Sequence, residues 1–327
     1  MKKIHIFSLG GTIAYMGDTD KPIVTGEDLV QGLPEISNIA NVITTSFRQI
    51  ASSSLSIDDI VELSREIVSA IDSGVDGIVI TQGTDTIEET AYLLDLLIEP
   101  KVPIVVTGAM RNPNLRGADG PANLLASILV AASGVTKGIG VVVVFNDEIH
   151  CSRFVRKAHT QNVAAFQSEC GPIGWIAEGI PYLAMRPNNE LNRSFKIETE
   201  EVPIALYTVS LGDDGRLLTK TKDLGFKGIV IEGLGGGHVP TSMVETLADL
   251  AQEIPVILAS RTGSGEVLTQ TYRGYPGSET SLLSKGLISS GWLDGRKSRV
   301  LLSLLLMSGK THQEIFEYYK HLSKPIL

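Results

Sequence analysis

Short apolar runs alternate with longer amphipathic stretches over most of the 327 residues. Residues 3–9, 77–81, 103–107, 140–146, 202–209, 227–232 and 255–260 are rich in Val and Ile, and several are almost unbroken. A strand with one face in water alternates apolar and polar positions, whereas a strand covered on both faces does not. These runs therefore predict buried, parallel strands. Between them, residues 56–73, 86–98, 122–133, 242–253 and 298–307 place apolar side chains at helical spacing. Strand and helix in alternation predict an α/β fold.

The alternation breaks between residues 177 and 201, where Pro, Asn and mixed charges replace the periodic pattern. The expected organisation is a larger N-terminal domain over residues 1–185, with a mainly parallel sheet flanked by helices. A linker over 186–203 and a smaller C-terminal α/β domain over 204–327 follow. No internal repeat or low-complexity tract interrupts this plan.

Charge narrows the partners. With 28 basic and 37 acidic side chains the formal charge is −9, which disfavours nucleic acid and anionic membrane as ligands. No apolar run approaches the roughly 20 residues of a membrane span. The N-terminal lysines lead straight into a strand and a glycine turn, without a small-residue cleavage site, so no export signal is expected and the location is read as cytoplasmic. The two cysteines, Cys151 and Cys170, lack metal-ligand spacing and read as reduced thiols. A small soluble molecule is the expected partner, with no metal and no cofactor.

Open parallel sheets bind ligands beyond the carboxyl ends of their strands, so the residues after each strand matter most. Gly10-Gly11-Thr12 follows the first run and Gln82-Gly83-Thr84-Asp85 the second. Glycines let the backbone turn sharply and aim N–H groups above the strand, where a developing oxyanion can be held. A threonine there is either a nucleophile or a simple cap on the next turn, and the first turn alone does not separate the two. Asp85-Thr86-Ile87-Glu88 likewise reads as a capping box for the helix at 86–98. Capping leaves unexplained why a Gly-Thr turn occurs at two strand ends. A base is also needed, and neither His5 nor His312 stands at a strand end. Lys157 follows the strand at 140–146. A lysine serves as base only when its amine is neutral, and taken singly Lys157 reads as a solvated charge.

Two further patterns fail on spacing. Ser308-Gly309-Lys310-Thr311 ends like a phosphate loop, but Leu304 occupies the required upstream glycine. Gly233–Gly237 and Arg261 loosely imitate a dinucleotide site, but His238-Val239-Pro240 stands where the helix should pack.

Taken together, Gly10-Gly11-Thr12-Ile13-Ala14 and Thr81-Gln82-Gly83-Thr84-Asp85-Thr86 resemble the two signature motifs of the bacterial-type L-asparaginase family. The resemblance continues through residues 108–111, 118–124, 157–159 and 297–302 and so spans nearly the whole chain. It implies an amidohydrolase that converts L-asparagine to L-aspartate and ammonia without a cofactor, with some action on L-glutamine left open. On the matching positions, Thr12 is the nucleophile that forms the acyl-enzyme, and Thr84, Asp85 and Lys157 are the activating set. Asp85 also holds the substrate α-ammonium and Ser52 the α-carboxylate, with Gly11, Gly83 and Ala109 in the same binding set. Glu279 from a neighbouring subunit completes the site, so a homo-oligomer, commonly a tetramer, is implied.

Three positions depart from the family pattern. The usual lid tyrosine is replaced in the segment Lys21-Pro22-Ile23-Val24, leaving Tyr15 as the nearby phenol. Ser53 stands where Gln or Glu is common, and His238 where Asn is often found. The alternative reading is a catalytically silent amino-acid-binding or sensing protein on the same fold.

Overall fold

The computed structural model describes residues 1–11, 13, 26–187 and 195–322. The chain forms two compact units, Met1–Ser194 and Phe195–Leu327. The strands of the first are β1 (Lys2–Ser8), β2 (Ala40–Ser46), β3 (Gly77–Thr81), β4 (Ile104–Thr107), β5 (Val141–Phe145), β6 (Glu148–Cys151), β7 (Val155–Lys157), β8 (Phe166–Ser168), β9 (Gly174–Ala177) and β10 (Ile180–Leu183). Its helices are α1 (Gly26–Gln31), α2 (Ile57–Asp72), α3 (Ile87–Leu97) and α4 (Gly120–Ser133). Eight of the strands form one sheet in the order β10-β9-β6-β5-β4-β3-β1-β2, and β7 and β8 form a separate ribbon.

The fold is the expected mixed α/β, with the larger sheet in the N-terminal unit. Every strand and helix predicted from the periodicity is present, with ends shifted by a few residues. β3 and β5 are buried at every position, as continuous apolar runs demand when both faces are covered. From β2 to β5 the neighbours run parallel. The β5–β6, β6–β9 and β9–β10 pairs are antiparallel. This antiparallel half was not predicted, because its strands are only four residues long. The β5–β6 and β9–β10 connections are two-residue turns, and Asn146, Asp147, Glu178 and Gly179 all adopt positive φ there, the conformation that such hairpins require. The β2 strand was missed for another reason. It lies at the sheet edge, only Ala40 is buried, and four of its seven residues are polar.

The core under this sheet gathers Ile4, Ile6, Val79, Val105, Val142 and Val144 against Leu124, Ile128 and Val130 of α4. Helix α2 opens with a true capping box, in which the Ser56 hydroxyl accepts from Asp59 N–H and the Asp59 carboxylate accepts from Ser56 N–H. The smaller unit has the parallel order β11 (Ile204–Thr208), β12 (Gly228–Gly233), β13 (Val256–Ser260) and β14 (Ile288–Ser289). Helices α5 (Val244–Ala251), α6 (Glu279–Ser284), α7 (Gly295–Met307) and α8 (His312–Leu322) complete it. Among the described residues no helix is long and apolar enough to cross a membrane.

One buried histidine ties the ribbon to the main sheet. His150 on β6 is 1% exposed. Its Nδ1 lies 3.0 Å from Ser168 Oγ on β8, and its Nε2 3.3 Å from a Glu148 carboxylate oxygen. Burial holds this imidazole below its ordinary value of 6.5, with Glu148 opposing the shift. A depressed folded value means that the unfolded chain takes up the proton first. Stability from this group is therefore complete above about pH 6.5 and falls as the pH drops toward the folded value, by at most about 1.4 kcal/mol per pH unit. Urea unfolding between about pH 7.5 and 5 should show this loss in the native chain and less of it in His150→Gln. Equal pH dependence in both would refute the assignment.

Candidate active site

The strand order places two turns side by side. In the series β2-β1-β3-β4-β5 the chain winds in opposite directions from β1, and the crevice beyond the carboxyl ends of β1 and β3 is the switch point at which open α/β sheets bind ligands. Ser8 pairs with Thr81 at that edge, and Leu9 N–H donates to Thr81 O at 2.8 Å. Gly10-Gly11 and Gln82-Gly83 leave the sheet together.

The glycines are required by contact as well as by backbone angle. Gly10 and Gly11 have φ of 95° and 86°, where a side chain is strained. A Cβ on Gly10 would stand 2.9 Å from Ile50 N, and one on Gly11 would overlap the backbone of Gly83. A Cβ on Gly83 would meet Ser52 Oγ at 2.6 Å, and one on Gly108 would meet Gln82 O at 2.5 Å. Backbones from the four loops after β1, β2, β3 and β4 thus crowd together at the strand ends.

Around this contact the side chains assemble. Ser52 is buried, its hydroxyl accepts from Asp85 N–H at 3.3 Å, and its carbonyl accepts from Thr86 Oγ1 at 3.1 Å. Lys157, the last residue of β7, donates from Nζ to Thr84 Oγ1 at 2.9 Å and to Asp85 Oδ1 at 2.6 Å. The lysine side chain is 16% exposed and that of Asp85 is 66% exposed. Ser53 is exposed beside Ser52. Ala109 is buried after β4 and packs with Ile13. The loop that carries it is held by Asp119, which accepts from Met110 N–H and Arg111 N–H, and by Asn123, whose amide donates to Gly108 O. Gly11 and Ile13 flank Thr12 in sequence; Thr12 itself and Tyr15 lie outside the described residues.

Two local expectations are corrected. The capping box at Asp85–Glu88 does not form. Residues Thr84–Thr86 make a tight helical turn, α3 starts at Ile87, and its N-cap Thr86 makes no side-chain capping bond. The Asp85 carboxylate instead accepts from Lys157 Nζ, and a hydrogen bond to an ionised carboxylate is roughly twice as strong as a neutral one. Nor is Lys157 a solvated surface charge, because its side chain is largely buried and its amine is engaged by Thr84 and Asp85. Sequence reading also missed Glu88, which is 1% exposed and accepts from Lys157 N–H at 2.7 Å. The available signal was its acidic character directly after the Gly-Thr turn, which the capping box had absorbed.

His238 and Glu279 belong to the second unit. Glu279 opens α6 and is fully buried; Oε1 accepts from Tyr272 N–H at 2.7 Å and Oε2 lies 3.2 Å from His238 Nε2. His238 meets the rings of Tyr272 and Tyr275 edge-on at 4.7 and 6.1 Å. The carboxylate is therefore engaged within its own unit, and the imidazole, at 21% exposed, is the more open member of the pair. Among the described residues no group of three or more His, Cys, Asp or Glu is arranged to hold a metal ion.

Comparison with known proteins gives this arrangement a context. Residues 3–188 match the family model described as asparaginase, N-terminal, and residues 203–319 match the glutaminase/asparaginase C-terminal domain. An L-asparaginase of Bacillus licheniformis is 34% identical, with 94% of this chain and 97% of that protein covered. A glutaminase-asparaginase of Pseudomonas fluorescens is 36% identical, with 81% and 77% covered. The crystal structure of a probable cytoplasmic L-asparaginase from Campylobacter jejuni superposes with a TM-score of 0.88 at 31% identity, covering 98% of this chain and 99% of that one. Since both family models match in order and together account for most of the sequence, the chain belongs to the asparaginase family.

Proposed function

We propose that this protein is an L-asparaginase, which hydrolyses the side-chain amide of L-asparagine through a threonine ester. The observation that carries the reading is the hydrogen-bonded series Thr84 Oγ1, Lys157 Nζ and Asp85 Oδ1 at the β1–β3 switch point. A hydroxyl, an amine and a carboxylate in direct contact form a path that can take a proton from a nucleophile and return it to a leaving group.

In this reading Thr12 Oγ attacks the amide carbon while its proton passes toward Thr84 and Lys157. N–H groups at the glycine turn hold the oxyanion. The C–N bond then breaks, and the nitrogen leaves as ammonia with a proton returned from the same path. Water attacks the resulting ester by the reverse route, and aspartate departs with Thr12 restored. Asp85 holds the α-ammonium through the oxygen not engaged by Lys157. Ser52, with the backbones of Gly11 and Gly83, holds the α-carboxylate, while Ser53 and Ala109 complete the wall. Tyr15 takes the part of the lid phenol.

A homo-oligomer, dimer or tetramer, belongs to the same proposal. Glu279 of a neighbouring subunit contributes through His238, given that its own carboxylate is already engaged. A cytoplasmic location is part of the reading, supported by the likeness to the C. jejuni protein described in those terms. No nucleic acid or membrane partner enters it.

Ammonia release from L-asparagine and from L-glutamine over a wide concentration range tests the proposal. Turnover of asparagine is expected, favoured over glutamine by about tenfold or more, the usual effect of one methylene. Asparagine binding without ammonia release would replace the enzyme by a sensor on the same fold.

A further inference from the structure

We propose that Glu88 is a positioning residue for Lys157 and that it acts by fixing the lysine backbone. The inference rests on the reading of Lys157 as the proton-transfer group. Two of the three contacts on Lys157 grip its amine, since Thr84 Oγ1 and Asp85 Oδ1 accept from Nζ. The third grips the other end, where Glu88 Oε2 accepts from the backbone N–H at 2.7 Å. All three acceptors come from residues 84–88, a single tight turn running into the first turn of α3. One five-residue segment thus holds the lysine at both ends of its side chain.

The need for such a hold follows from where Lys157 sits. β7 has three residues and, among the described residues, pairs only with β8. Within that pair Lys157 faces Phe166, and Ala158 N–H donates to Ala165 O at 2.7 Å. The Lys157 N–H leaves the ribbon on the opposite side, toward α3. Glu88, almost fully buried, supplies the acceptor. A lysine has four rotatable side-chain bonds, so its amine is placed accurately only when its Cα is also fixed. Displacing a reacting group by about 1 Å can cost on the order of 100-fold in rate. The Asp85 N–H that a capping box would direct to Glu88 is donated to Ser52 Oγ instead.

The position of the acceptor, more than its charge, is what this role demands, and three variants of the full-length protein separate the two. E88Q keeps an oxygen at the same reach, E88D keeps the charge but withdraws it by one methylene, and E88A removes both. With L-asparagine as substrate, E88Q should keep kcat within about fivefold, while E88D and E88A lose about 100-fold. KM should stay within about threefold in all of them, because Asp85 and Ser52 are untouched. In a K157M background E88A should cost little more, since the group it positions is gone.

Full kcat in folded E88A would overturn the proposal. So would E88D outperforming E88Q, or an undiminished effect of E88A on top of K157M. Should E88A fail to fold, as read by circular dichroism, the order of E88Q and E88D decides alone. If K157M itself retains kcat, the reading of Lys157 falls and not merely the role of Glu88.

Discussion

Thr12→Ala is expected to lower kcat for L-asparagine by at least about 10,000-fold while leaving the protein folded and able to bind substrate. The size follows from the role: removing the nucleophile of a covalent mechanism removes the intermediate, and only binding and oxyanion stabilisation remain. The selectivity follows from position. Thr12 lies between Gly11, whose backbone touches that of Gly83, and Ile13, which packs on Ala109. Substituting the residue between two such anchors removes a hydroxyl and a methyl without asking either neighbour to move.

The comparison that gives this prediction its meaning is Thr84→Ala. Thr84 is the threonine that touches Lys157 directly, so geometry alone allows it to be the nucleophile and Thr12 a bystander. Trapping during turnover of asparagine and peptide mass analysis separate the two. An ester on the peptide containing Thr12, lost in Thr12→Ala, is the expected result. An ester on the peptide containing Thr84, with turnover surviving in Thr12→Ala, would exchange their roles.

How much of this was legible beforehand depended on the kind of information each residue carries. Buried parallel strands announce themselves, because GIVIT and VVVVF have no polar position apart from the terminal Thr81. The turns after β1 and β3 were legible too, since Gly10-Gly11-Thr12 and Gly83-Thr84 are uncommon where a strand simply continues. Short antiparallel strands carried no such signal. Glu148–Cys151 and Phe166–Ser168 owe their conformation to neighbours that complete the sheet or ribbon, and three or four residues are too few for a period to appear.

The site itself divided along the same line. Thr84 and Asp85 were visible through their turn, but Lys157 lies 72 residues from Asp85 in sequence, and nothing local distinguishes it from a surface charge. Glu88 was seen and misread. An acid just after a helix start is ordinarily explained by its own helix, and here a strand segment 69 residues away claims it. Glu279 shows the opposite case: a carboxylate expected to face a ligand is occupied by the His238 ring and the Tyr272 N–H of its own unit.

Lys157→Met is expected to lower kcat by about 1,000-fold, within the range for loss of a positioned proton-transfer group, with little effect on stability. The second half of that expectation decides what the ion pair is for. Asp85 is two-thirds exposed, and pairs open to water on one side contribute only about 0–1 kcal/mol. Methionine keeps most of the apolar stem of this largely buried side chain, so the melting temperature should fall by no more than a few degrees. A residue that matters to the rate far more than to the fold is held for chemistry.

Lys157→Arg distinguishes proton transfer from mere charge. Arginine preserves the cation beside Asp85 and can still donate to Thr84, but its guanidinium does not release a proton at any pH where the protein is folded. If Lys157 accepts a proton from the nucleophile, Lys157→Arg should be as slow as Lys157→Met and should not recover as the pH is raised. If the cation only orients Asp85 and stabilises the oxyanion, arginine should restore a large part of the rate. Steady-state kinetics of the two variants from neutral to alkaline pH separates these outcomes, and recovery in Lys157→Arg would move the base from the lysine to another group at the β1–β3 edge.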